Sequence, residues 1–158
     1  MPIKVLFVCL GNICRSPTAE GVFRHLVKEA GLHKQIHVDS AGTANWHSGR
    51  APDPRTIAAA KKRNVDLSIL RARAVTADDF EEFDYILAMD DANLNELKNS
   101  KPANYQGHLG LFLDFATHKH YRHVPDPYHG DAGGFELVLD LIEDAAAGLL
   151  VDVKKRHF

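Results

Sequence analysis

Residues Val5 to Glu20, V-L-F-V-C-L-G-N-I-C-R-S-P-T-A-E, leave this chain little freedom in how it folds. Val5 to Leu10 is an apolar run, rich in β-branched and large side chains and without helical spacing, as a strand buried on both faces requires. A turn must follow at once. Gly11 and Asn12 tolerate positive φ, and Ser16-Pro17 reads as an N-cap and first helical residue with Glu20 in the first turn. The pattern therefore predicts a strand, a tight loop and a helix with nothing between them.

Cys9 and Arg15 bracket that loop, six positions apart. Backbone N–H groups converging at the positive end of a helix form an anion nest, so Leu10, Gly11, Asn12, Ile13, Cys14, Arg15 and Ser16 are the expected seat of a phosphate dianion. A free thiol, with a pKa of about 8.5, is a weak nucleophile at neutral pH, but such surroundings bring cysteines to roughly 3.5 to 7.5. The planar fork of Arg15 matches two phosphoryl oxygens at once, which a lysine cannot do. Against this stands a plain alternative, since C-x5-R alone is a weak signal: Cys9 as a small buried hydrophobe at a strand end and Arg15 as a surface charge. The agreement of strand, turn, flanking residues and helix start favours the reactive reading.

The rest of the chain alternates in the way that builds a parallel sheet. A helix from Pro17 to about Ala30 carries Ala19, Val22, Phe23, Leu26 and Val27 on one stripe and stops at Gly31. Ile36 to Ala41 forms a second strand, with Asp39 and Ser40 near its carboxyl end. Asp53-Pro54 caps a helix to about Arg63, whose Lys61-Lys62-Arg63 end suits a helix terminus and needs no nucleic acid. Thr76 is expected to cap a short acidic helix. Tyr85 to Met89 forms a third strand that ends at Asp90, read as an N-cap rather than half of a metal pair. A fourth strand lies near Leu109 to Leu113. The last helix runs from about Gly134 to Val151 with Leu137, Leu141, Ile142, Ala145 and Leu149 inward.

At 158 residues the chain suits one domain with a full core, expected over 1–158. The sequence pI near 6.5 argues against nucleic acid, although Lys and Arg outnumber acids over residues 1–79 and the reverse holds beyond. The two cysteines, Cys9 and Cys14, exclude a disulfide scaffold. With no signal-peptide pattern and no apolar run near 20 residues, a cytoplasmic setting away from membranes is expected. His118, His120, His123 and His129 match no ligand spacing and are read as loop histidines, so no metal and no cofactor are expected. Asp126 lies between Pro125 and Pro127, which stiffen it; a turn aspartate and a carboxylate held above the anion loop are both open readings. Trp46, between Asn45 and His47, either joins the core or walls a pocket.

C-L-G-N-I-C-R-S-P at Cys9 to Pro17, D-S-A-G at Asp39 to Gly42, G-R-x-P-D-P-R at Gly49 to Arg55 and D-P-Y at Asp126 to Tyr128 together resemble the low molecular weight protein tyrosine phosphatases over essentially the whole chain. With the alternation above, the expected architecture is α/β: a four-stranded parallel sheet, order 2-1-3-4, with helices on both faces as a flavodoxin-like three-layer sandwich. The resemblance implies hydrolysis of protein phosphotyrosine through a phosphocysteine, with Cys9 as nucleophile, Arg15 as phosphate clamp and Asp126 as general acid and base, inorganic phosphate as product, and a monomer. It further implies that Asn12, Ser16 and Ser40 support the loop and that Trp46, Tyr128 and His129 line the substrate pocket. Two positions depart from the family's pattern: Leu70-Arg71-Ala72-Arg73 lacks the histidine of H-x-A-R that braces the loop in many members, and His129 stands where several relatives are aromatic. Ile13 differs from the threonine of the related arginine phosphatases. Cys14 is either a reversible redox partner for Cys9 or a packing residue. An arsenate reductase would need cysteines after Cys14, and a non-catalytic phosphotyrosine reader would have lost Cys9, Arg15 or Asp126.

Overall fold

A computed structural model describes residues 1–128 and 132–158, including every side chain in those ranges except those of residues 132 and 133. Strand β1 (Ile3–Cys9) is fully buried from Val5 onward, and its alternation divides the core. Val5 and Phe7 face one hydrophobic cluster with α1 (Arg15–Glu29) and α5 (Ala132–His157), while Leu6 and Val8 face a second with α3 (Asp79–Glu82) and α4 (Asp91–Ser100). Both faces of the strand are therefore covered, which is why the run carries no polar alternation. Strands β2 (Ile36–Gly42), β3 (Tyr85–Ala88) and β4 (His108–Leu111) complete one parallel sheet in the order β2-β1-β3-β4, so the expected three-layer α/β architecture is the one found. Helix α2 (Pro54–Lys61) lies between β2 and α3, and a 3₁₀ turn spans Phe112–Phe115. Phe7 anchors the larger cluster by edge contacts to Phe23 at 5.8 Å and Phe112 at 4.9 Å between ring centroids.

Several boundaries differ from the sequence reading for identifiable reasons. Helix α1 starts at Arg15, two residues early, and Ser16 is not its cap, because the hydroxyl is engaged by the loop described below. Asn12 takes the left-handed conformation (φ 58°), whereas Gly11 does not; a methyl group at Gly11 would instead press on the His47 ring at 2.9 Å. Gly31 does sit at φ 73° beyond α1. Arg63, beyond the end of α2, turns to Glu136, Asp140 and Glu143 on α5 rather than to its own helix terminus. Thr76 donates its backbone N–H to Asp79 Oδ2 at 2.8 Å, so the acid three residues on caps the turn in place of the threonine hydroxyl. In α5 the buried stripe is Phe135, Val138, Leu139, Ile142, Ala145, Ala146, Leu149 and Val153; Leu137 and Leu141 are only partly covered. At Gly148 the helix lies directly against the Phe115 carbonyl, which leaves no space for a side chain. No helix among the described residues is long and apolar enough to cross a membrane.

Candidate active site

The loop from Cys9 to Arg15 leaves the carboxyl end of β1, where open α/β sheets bind ligands. Here a cleft of about 160 Å³ is lined by Cys9, Leu10, Gly11, Ile13, Cys14 and Arg15 from the loop, Trp46 and His47 from the segment after β2, and Asp126 and Tyr128 from the segment before α5. Asn12 and Ser16 are absent from the lining: both are buried behind it. His129 lies outside the described residues.

Asn12 holds the loop from behind. Its Oδ1 accepts the backbone N–H of Arg73 at 3.0 Å, and its Nδ2 donates to Ser16 Oγ at 2.7 Å and Ser40 Oγ at 2.9 Å. Ser40 in turn donates to Glu20 Oε1 at 2.6 Å. These directions leave the Ser16 proton for Cys9 Sγ at 3.0 Å, the alternative acceptor being the Ala41 carbonyl at 3.4 Å. The sulfur also receives the Asn12 backbone N–H at 3.3 Å. Ser40 thus lies in hydrogen-bond contact with Asn12, whose Oδ1 is met by a main-chain donor three residues after Leu70. Leu70 itself packs against the core. Glu20, buried and ion-paired to Arg24 at 2.6 Å, has its carboxyl pushed up by burial, against which the Ser40 hydrogen bond and Arg24 work.

Arg15 is 3% exposed, and its guanidinium is gripped from several sides. Nη1 donates to Asp90 Oδ2 at 2.6 Å and to the Val124 carbonyl at 3.1 Å, while Nη2 lies 3.7 Å from Asp126 Oδ2. Burial works against its charge, but Cys9, Asp90 and Asp126 outweigh that and raise its pKa further. Asp90 was legible as the cap of α4, and its Oδ1 does accept the Asn93 N–H at 2.8 Å; its second oxygen on Arg15 was not. Asp126 is partly exposed at the cleft and accepts the Tyr128 N–H at 3.1 Å. Trp46 is 70% exposed, at the mouth rather than in the core. Asp39 serves an ion pair with Arg73 at 3.0 Å.

Cys14 is buried beside Cys9, and both thiols are unpaired. Burial pushes the Cys14 thiol up to about 12, with the neighbouring charges of Asp53, Cys9 and Asp126 adding to the effect. Among the four loop histidines, His118 and His120 stack at 6.4 Å in solvent and His123 contacts Asp91 at 3.1 Å. Sequence reading also passed over His47, whose ring lies 6.3 Å from that of Tyr128.

The sequence profile described as "Low molecular weight phosphotyrosine protein phosphatase" matches residues 4–157. A relative of that same description from Schizosaccharomyces pombe is 47% identical over 134 residues, 84% of this chain and 85% of its own length. The crystal structure of YfkJ from Bacillus subtilis superposes with a TM-score of 0.94 at 39% identity, covering all of this chain and 98% of that one. The structure of DARP, a Drosophila arginine phosphatase, superposes at 0.90 with 35% identity, covering 96% and 98%.

Proposed function

The chain belongs to the low molecular weight phosphotyrosine protein phosphatase family, and from that premise we propose that it hydrolyses protein phosphotyrosine through Cys9, Arg15 and Asp126. In this reading Cys9 attacks phosphorus in line while Arg15 spans two phosphoryl oxygens, and Asp126 gives its proton to the departing phenolate oxygen. The phosphocysteine is then cleaved by a water that the same carboxylate deprotonates, and inorganic phosphate leaves. The Ser16 hydroxyl, directed at the sulfur, favours the anion both before attack and as Cys9 is released. The observation that carries this reading is the meeting of the three groups on one cleft, with Asp126 only 3.7 Å from the guanidinium that also faces Cys9.

Trp46 and Tyr128 at the mouth supply faces for the phenyl ring of the substrate, and the depth below them favours phosphotyrosine over the shorter phosphoserine. Ile13 in the loop, where the related arginine phosphatases carry threonine, supports tyrosine rather than arginine phosphate as substrate. The chemistry needs no metal or cofactor. Two unpaired thiols suit a reducing, cytoplasmic setting, and the protein is expected to work as a monomer. For Cys14, burial and a raised thiol favour packing, with reversible pairing to an oxidised Cys9 as the second reading; counting thiols and activity after peroxide and then reductant separates the two.

The deciding experiment is hydrolysis of para-nitrophenyl phosphate, a phosphotyrosine peptide and a phosphoarginine peptide, each with chelator present, by the parent and by Cys9→Ser. Turnover of the first two by the parent alone is expected. Parent-level activity in Cys9→Ser would sink the assignment, and preference for phosphoarginine would move the chain to the chemistry of DARP.

A further inference from the structure

The amino terminus of α2 touches both halves of the cleft. On one side the Asp53 backbone N–H donates to the carbonyl of Ile13 in the Cys9 loop at 2.8 Å. On the other side Arg55 Nη2 donates to the carbonyl of Tyr128 at 2.7 Å. Between them Asp53 accepts two side-chain hydrogen bonds from Arg55, Nε to Oδ1 at 3.1 Å and Nη2 to Oδ2 at 2.9 Å, while the Arg55 N–H caps onto Oδ1 at 2.8 Å. The guanidinium carbon also stands 4.9 Å from the Phe135 ring centroid and 5.7 Å from that of Tyr128.

We propose that Arg55 is a positioning residue for proton transfer, tying the segment that carries Asp126 at a fixed distance from the loop that carries Cys9. The inference rests on Asp126 being the acid. Pro125 and Pro127 have no N–H, so the segment around Asp126 has fewer main-chain donors of its own with which to fix itself. Residue 128 supplies the link: its N–H points the Asp126 carboxylate, and its carbonyl is held by Arg55. Losing the tie leaves Cys9, Arg15 and the phosphate seat in place but frees the carboxylate to move away from the leaving oxygen. A misplacement of about 1 Å far from the reacting atoms is enough to cost on the order of 100-fold.

That mechanism predicts a dependence on the leaving group, which a general loss of structure does not. The test is kcat/KM for the parent, Arg55→Ala, Arg55→Lys, Asp53→Asn and Asp126→Asn over aryl phosphates graded from 2,4-dinitrophenyl to phenyl phosphate. Arg55→Ala is expected to lose about 30-fold on phenyl phosphate and less than about threefold on the dinitrophenyl ester, whose phenolate departs without a proton. Arg55→Lys, which can reach the carbonyl but cannot fork onto Asp53, should fall between. Asp53→Asn keeps the cap on α2 and loosens the clamp, so it reports even where Arg55→Ala folds poorly. In the Asp126→Asn background Arg55→Ala should cost little more, because both act on one step. An equal loss across the series, or losses that multiply in the double variant, overturns the role of Arg55. If Asp126→Asn itself shows no dependence on leaving group, the acid assignment is wrong and the inference goes with it.

Discussion

Arg15 meets Asp90 and Val124 behind the cleft and Asp126 at its edge, so each contact fixes the plane of a fork that must meet two phosphoryl oxygens. Asp90→Asn retains the α4 cap, because asparagine caps as well as aspartate, but removes the charge opposite Arg15. Asp90→Ala removes both. Chemical denaturation should show a loss of about 1 kcal/mol for Asn and about 2–3 kcal/mol for Ala, the difference being the cap. Equal losses would mean that the side chain serves only one of the two partners. For Asp126→Asn, phosphate affinity should hold while kcat on a phosphotyrosine peptide falls about 10²–10⁴-fold, the usual worth of positioned acid catalysis. At this scale the sequence was readable in which residues meet: Cys9, Arg15 and Asp126, singled out from the sequence, line one cleft. It was unreadable where one side chain has two employers: Asp90 was explained by its cap alone, and its second oxygen on Arg15 went unseen.

Helices α2 and α5 each carry a feature that periodicity could not have disclosed. In α5 the Phe115 carbonyl occupies the space a side chain at Gly148 would need, so Gly148→Ala should destabilise by about 2 kcal/mol even though alanine is the better helix former by about 1. A higher thermal midpoint in that variant would show that the contact gives way. The buried stripe runs through Phe135, Val138, Leu139, Ile142, Ala145 and Leu149, and Leu137 and Leu141 lie at its edge, only partly covered. In α2, hydrogen bonds from the Arg55 side chain hold the Asp53 carboxyl below its ordinary 3.8, with burial opposing them. A carboxyl lowered on folding contributes its full stability above 3.8 and loses it as pH falls through the lower folded value. Asp53→Ala should therefore cost about 1 kcal/mol at pH 7, and the gap between parent and variant should close in acid below 3.8. A gap that stays constant down to that range would show that the carboxylate charge is not what stabilises the cap.

Across the whole molecule, the cleft is lined from the loops after β1 and β2 and from the segment before α5, while Asp90 beyond the end of β3 holds Arg15 from behind, so the pairing of β1 with both neighbours bears on its geometry. Sheet order and helix placement were legible because a doubly covered parallel sheet imposes continuous apolar strands and amphipathic crossovers. Contacts spanning tens of residues, such as Arg73 to Asn12 or Arg55 to Tyr128, leave no local trace. The lone tryptophan offers a whole-molecule readout. Since Trp46 stands 70% exposed at the mouth, its emission should shift little as far-UV circular dichroism reports unfolding, yet respond when vanadate fills the phosphate seat. A large red shift on unfolding would place the indole in a covered site. The brace on Asn12 carries one last consequence. Its donor is an amide that every residue but one possesses, so proline at position 73 is the single replacement that would withdraw it from the nucleophile's cradle.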